Sequence, residues 1–163
     1  MFAEPSHLKS LLSSLDREHD LVLIDTPGID ASRMRVALSR SNVALFVLSP
    51  GGGDFMQAGH TISVINEARQ LRPEALPLYA SIVFNKTRAR QLMVRDMRKE
   101  LQEVLEQNPE NREGWHIADS EFGYLDDFAY MITQGEGVHE YAPGSKAARQ
   151  AFALAGELEG LYG

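Results

Sequence analysis

The 163 residues are 44% hydrophobic and 24% charged, the balance of one globular domain long enough to bury a core. Cysteine is absent, which excludes disulfides and thiolate metal sites and fits a reducing cytoplasm. A net charge of −7 argues against a protein that coats nucleic acid over its whole surface. No apolar run approaches the ~20 residues that span a bilayer. The opening MFAEPSHLKS lacks the basic-then-apolar pattern of a secretory leader, so the expected location is cytoplasmic.

Leu8, Leu11, Leu12 and Leu15 follow helical spacing after Ser6, so a short amphipathic helix capped by Ser6 opens the chain. LVLI (21–24) reads as a strand apolar on both faces, as in a parallel sheet covered on both sides. A helix is expected over 33–39, then a second buried strand, VALFVL (43–48), closed by SPGGGDF. Phe55, Ala58, Ile62 and Ile65 mark the next helix, and Pro73 and Pro77 bracket its exit. LYASIVF (78–84) is a third strand ending on NKTR. Met93, Met97, Leu101, Val104 and Leu105 give a long helix that stops near NPEN. WHIAD (115–119) is a short fourth strand, with helices over 121–133 and 146–161. Alternating strands and helices predict an α/β fold with a mainly parallel sheet and flanking helices.

Ligands bind such sheets at the carboxyl ends of the strands, where DTPG, SPGGGD and NKTR all fall. Asp25, at the end of the first strand, has the hard oxygen that suits Mg²⁺ held through carboxylate, water and phosphate. Gly28 lets a backbone N–H approach a phosphate, although a plain Pro-Gly strand-end turn explains the tetrapeptide equally well. The amide of Asn85 offers a paired donor and acceptor to a purine edge, or a cap to the next helix. SPGGGDF lacks the G-x-x-x-x-G-K-[ST] pattern and reads as a flexible strand–helix connection. The five histidines show no metal-ligand spacing. From Lys86 to Lys99 six basic residues (Lys86, Arg88, Arg90, Arg95, Arg98, Lys99) stand against one acid, Asp96. That stretch is a solvated helix face paired with acids such as Glu100 and Glu103, or a local DNA-facing patch formed by Arg88, Arg90, Arg95, Arg98 and Lys99.

The ordered set DLVLIDTPG, SNVALFVLSPGGGDF, IVFNKTRARQLMVRDMRKEL and GVHEYAPGSKAARQAFALAGEL resembles the ParA/MinD group of deviant Walker ATPases, and within it the ParA-type partition proteins. The resemblance covers nearly the whole chain, with Tyr141, Pro143, Ser145, Lys146, Ala147 and Ala148 matching the start of the family's C-terminal helix. It implies a P-loop NTPase-like fold, ATP and Mg²⁺ as cofactors, and a role in plasmid or chromosome segregation. Asp25 would be the Walker B carboxylate and metal residue. Thr26 and Gly28 would belong to the γ-phosphate-sensing turn, and Asn85 would contact adenine. Asp54 matches the acidic residue after the proline of the family's strand–helix loop. The implied partners are a second copy of the chain, nonspecific DNA and a ParB-like protein. The membrane helix of MinD-like relatives is not expected, because AFALAGELEGLYG has no Lys or Arg on a polar face.

The departure from the family is the phosphate loop: no G-K-[ST] occurs anywhere in the 163 residues. Without that lysine and its backbone N–H groups the main electrostatic stabilisation of phosphoryl transfer is missing, so this polypeptide alone is expected not to hydrolyse ATP. The expected organisation is a single, incomplete ParA-like domain over 1–163, as a fragment or a natural short variant. In the family the phosphate-loop strand lies between the Walker B strand and the next. Its loss would leave unpaired strand edges that favour self-association. Two alternatives remain. D-x-x-G at 25–28 and N-K-x-x at 85–88 suit a GTPase-like switch protein, but Arg88 stands where guanine recognition needs an acceptor. A nucleotide-independent DNA- or partner-binding module is the other.

Overall fold

The computed structural model describes residues 5–26, 31–72, 77–88, 91–108 and 114–162. The elements are α1 (Pro5–Glu18), α2 (Ala31–Leu38), β1 (Val43–Leu48), α3 (Gly52–Gln70), β2 (Tyr79–Thr87), α4 (Leu92–Gln107), β3 (Trp115–Gly123), α5 (Asp126–Gln134), α6 (Val138–Tyr141) and α7 (Lys146–Tyr162). They fall into two compact units, residues 1–44 with 60–79 and residues 45–59 with 80–163, the boundary lying within β1, within α3 and after the first residue of β2.

In the first unit α1 packs on α2. Pro5 opens α1, where a missing N–H costs nothing, so Ser6 lies inside the first turn rather than at the predicted cap. Arg72 closes the end of α2, donating at 2.6 Å to the carbonyl of its last residue, Leu38, a group that a helix terminus leaves without a partner, and at 2.7 Å to that of Ser41 beyond it. Burial, and then the nearby Arg40, lower the Arg72 pKa from its ordinary value. Arg35 pairs with Glu67 at 3.0 Å on the surface.

The strand predicted at 21–24 does not form. Residues 21–26 have no regular secondary structure, and Leu21 and Leu23 are 76% and 84% exposed. A strand apolar on both faces is stable only when neighbours satisfy its backbone and cover its sides. No described strand pairs with this run, so its composition alone does not make it one.

The sheet has three parallel strands in the order β1, β2, β3, flanked by helices. Central β2 is the most deeply buried: Ala80, Ile82, Val83 and Phe84 are buried, as is Ser81, whose hydroxyl meets that of Tyr162 at 2.7 Å. Edge strand β1 is covered less, with Leu45 and Val47 exposed. α4 lays Val94, Met97, Leu101 and Leu105 into the core; Met93, expected on this face, is instead 50% exposed, and Val94 takes the buried position. α7 packs on β3, with Leu154 and Leu158 against Val83, Ala118 and Phe122.

β3 runs to Gly123, four residues past the predicted end, so α5 starts only at Asp126. The register explains the length. Ile82 faces Ile117 but Phe84 faces Glu121, so β3 takes two extra residues there. Thr87 then faces Gly123, so β2 takes one extra residue of its own between Phe84 and Thr87. Lys86, in that second irregularity, has φ 56°, a left-handed conformation uncommon for a side-chain-bearing residue.

Candidate functional site

The carboxyl ends of the strands in the second unit carry the SPGGGD and NKTR segments. Pro50 ends the approach to α3, and Asp54 in the first turn of α3 accepts the Ser49 N–H at 3.2 Å. That bond closes the loop on itself, and a carboxylate in a first turn complements the helix dipole. The glycines here therefore open a helix rather than form a loose connection.

At the end of β2 the half-buried Asn85 turns its Oδ1 onto the Lys86 N–H at 2.8 Å, and no group among the described residues takes its amide N–H donors. Thr87 is buried, donating to Glu121 Oε1 at 3.1 Å, while its carbonyl accepts the Tyr124 N–H at 2.8 Å. Arg88 is exposed, its N–H on Gln91 Oε1 at 3.1 Å and its guanidinium 6.0 Å from the centre of the Tyr124 ring. The rim thus gathers an amide and two exposed cations from the end of β2 and an exposed aromatic ring from the end of β3.

The predicted residues separate on inspection. Asp25 is exposed and Thr26 half-buried, both at the end of the irregular 21–26 run in the first unit. Gly28 and Arg90 lie outside the described residues. On α4, Arg95 and Lys99 face solvent, each paired among the described residues with a neighbouring surface acid: Arg95 with Asp96 at 3.0 Å, and Lys99 with Glu103 at 3.8 Å. Arg98, although adjacent in helical spacing, points the other way. It donates to the Ala118 carbonyl at 2.6 Å, sits 3.6 Å from Glu121 Oε2, and lies 4.8 Å above the Phe84 ring. Its charge is committed to the sheet rather than to the solvent face.

The sequence reading missed the site's most strongly held carboxylate. The extra residues of β3 leave the N–H groups of Asp119 and Ser120 out of the ladder, and Glu157 on α7 takes both at 2.7 and 2.9 Å. Its Oε1 also meets His116 Nε2 at 2.7 Å, with the Glu157 side chain only 16% exposed. Burial by itself raises the Glu157 pKa. The hydrogen bonds from His116, the Ser120 hydroxyl and the two backbone N–H groups outweigh it and hold the carboxyl at about 2. Within A-G-E-L-E-G nothing marks Glu157 as different from a solvated helix acid, and only the unpaired N–H groups opposite reveal its task.

A parallel sheet flanked by helices, with polar residues collected at its carboxyl ends, is the architecture of the P-loop NTPase-like α/β proteins. The family model described as ATPase MipZ matches residues 3–115, well over half of the chain and ending on the first residue of β3. The chain belongs to that family, which is ParA-like. No curated protein matches the chain.

Proposed function

We propose that the chain works in DNA segregation as a ParA-like partition component, holding nonspecific DNA on the exposed cations of α4. The observation that carries this reading is the pairing of family membership with Arg95 and Lys99 exposed on one helix. Both ion pairs there are surface pairs of the kind worth well under about 1 kcal/mol, so phosphates can displace the acids at little cost. Arg88 extends the cationic surface toward the rim. A second copy of the chain and a ParB-like protein are the partners of this reading.

The same reading makes the rim a nucleotide site. Asn85 reads a base edge there, and by resemblance to the family's Walker B turn Asp25, followed by Thr26 and Gly28 in the sequence, is the residue that would hold Mg²⁺ through water. Among the described residues no three His, Cys, Asp or Glu side chains gather as a metal site. Magnesium needs no such cluster, being held by one or two carboxylates with water and substrate phosphates, so the exposed Asp25 carboxylate suits it. Bound ATP and magnesium would supply the phosphate charge that family members use, and no G-K-[ST] is present here to cradle it.

Arg95→Glu with Lys99→Glu tests the DNA reading. The double variant is expected to lose most DNA retention at low salt, and the slope of log affinity against log salt is expected to fall by about 2. Retention and slope equal to those of the parent protein would dismiss the α4 face as the DNA surface.

A further inference from the structure

Two successive peptide groups of the β3 bulge are each held at both ends by opposite charges. Arg98 donates to the carbonyls of Ala118 at 2.6 Å and Asp119 at 3.5 Å. Glu157 accepts the N–H groups of Asp119 at 2.7 Å and Ser120 at 2.9 Å. A carbonyl and the N–H of the following residue belong to one peptide group. The Ala118–Asp119 and Asp119–Ser120 dipoles therefore both run between a guanidinium and a carboxylate. Each charge polarises the shared peptides in the sense that strengthens the bonds of the other.

The geometry points to Arg98 and Glu157 as one peptide-bridged ion pair that locks the β3 bulge and, through Glu121 and Thr87, sets the Asn85–Arg88 rim. Neither side chain is itself at the rim; they are positioning residues, and their relevance to ligand binding rests on the rim reading proposed above. The linkage is continuous. Arg98 stands 3.6 Å from Glu121, Glu121 accepts the Thr87 hydroxyl at 3.1 Å, and the Thr87 carbonyl takes the Tyr124 N–H at 2.8 Å. Bulges beside functional sites re-aim side chains, and this one turns Glu121 onto Thr87 one step beyond Asn85 and Lys86. α4 and α7, which carry the two charges, are thereby coupled through two peptide groups rather than by direct contact of the side chains.

The test is a double-mutant cycle on the full chain with Arg98→Met, which keeps an apolar stem over Phe84, and Glu157→Gln, combined with amide hydrogen exchange in the absence of any ligand. Coupling is expected to make the double variant's unfolding constant about tenfold smaller than the product of the single effects predicts. The Tyr124 amide is expected to exchange about tenfold faster in each single variant while amides of α1 keep their rates. If Arg98→Met does not fold, Arg98→Gln, which keeps a donor for the Ala118 carbonyl but no charge, replaces it in the cycle with Glu157→Gln. Additive effects, or Tyr124 exchange unchanged in variants that have lost stability, would overturn the inference. The rim reading fails separately, if the parent chain does not bind Mg·ATP.

Discussion

Phe84→Ala is expected to remove about 4 kcal/mol of stability, the largest effect of any single truncation in the sheet. Phe84 is fully buried at the centre of β2, where a strand covered on both faces leaves no room for the neighbours to collapse into the void. The ring also lies under the Arg98 guanidinium at 4.8 Å, so truncation withdraws the aromatic face beneath a partly buried cation. Domains of this size have roughly 5–15 kcal/mol in total, so the variant keeps only a small margin or none. Urea unfolding measures it: the midpoint should fall sharply with an unchanged slope. Phe84→Leu, which retains most of the volume, should cost about 1 kcal/mol. A loss for the alanine variant no larger than that for leucine would mean that Phe84 does not sit in the core.

β2 was legible because its apolar run satisfies two demands at once. IVF is short, β-branched or aromatic, and the strand is bounded by Pro77 and the polar NKTR, so both the local preference and the buried position agree. Most of the apolar face of α4 was legible from 3.6-residue spacing, Met97, Leu101 and Leu105 being buried as expected. The run at 21–24 has an equally apolar composition but no described strand beside it. Strand formation is a property of the pair, and composition reports only one member.

β3 failed in the opposite direction. Trp115 and Ile117 alternate as a strand should, but the two extra residues throw Phe122 out of that alternation, and the period-2 signal ends where the real strand continues. The candidate site divides along the same line. Asn85 was visible because a strand end is a position in the sequence. The division of α4 between solvent-facing Arg95 and Lys99 and sheet-facing Arg98 was not, because three cations at helical spacing look alike until the carbonyls of the bulge are placed opposite one of them. Glu157 was hidden for the same reason. Its partners are two backbone N–H groups freed by a bulge the sequence does not announce.

Those partners give Glu157 an acid limb of its own. Its carboxyl titrates at about 2 in the folded chain against 4.5 for the free group, because its hydrogen bonds favour the ionised form more than burial disfavours it. A pKa depressed on folding means that the unfolded chain takes up the proton first. The contribution is therefore fully present above about pH 4.5 and is lost as the pH falls toward 2. With solvent screening allowed for, it amounts to about 2 kcal/mol at neutral pH. In Glu157→Gln the amide oxygen can accept from only one side of the bulge, and no proton is taken up at this position on unfolding. The variant should be less stable than the parent at pH 7, and the difference between the two curves should shrink steadily from pH 4.5 downward, while the other carboxylates titrate alike in both. Urea midpoints measured from pH 7 to pH 2 test this directly. A gap that stays constant across the range would show that the bulge does not hold Glu157 in its ionised form.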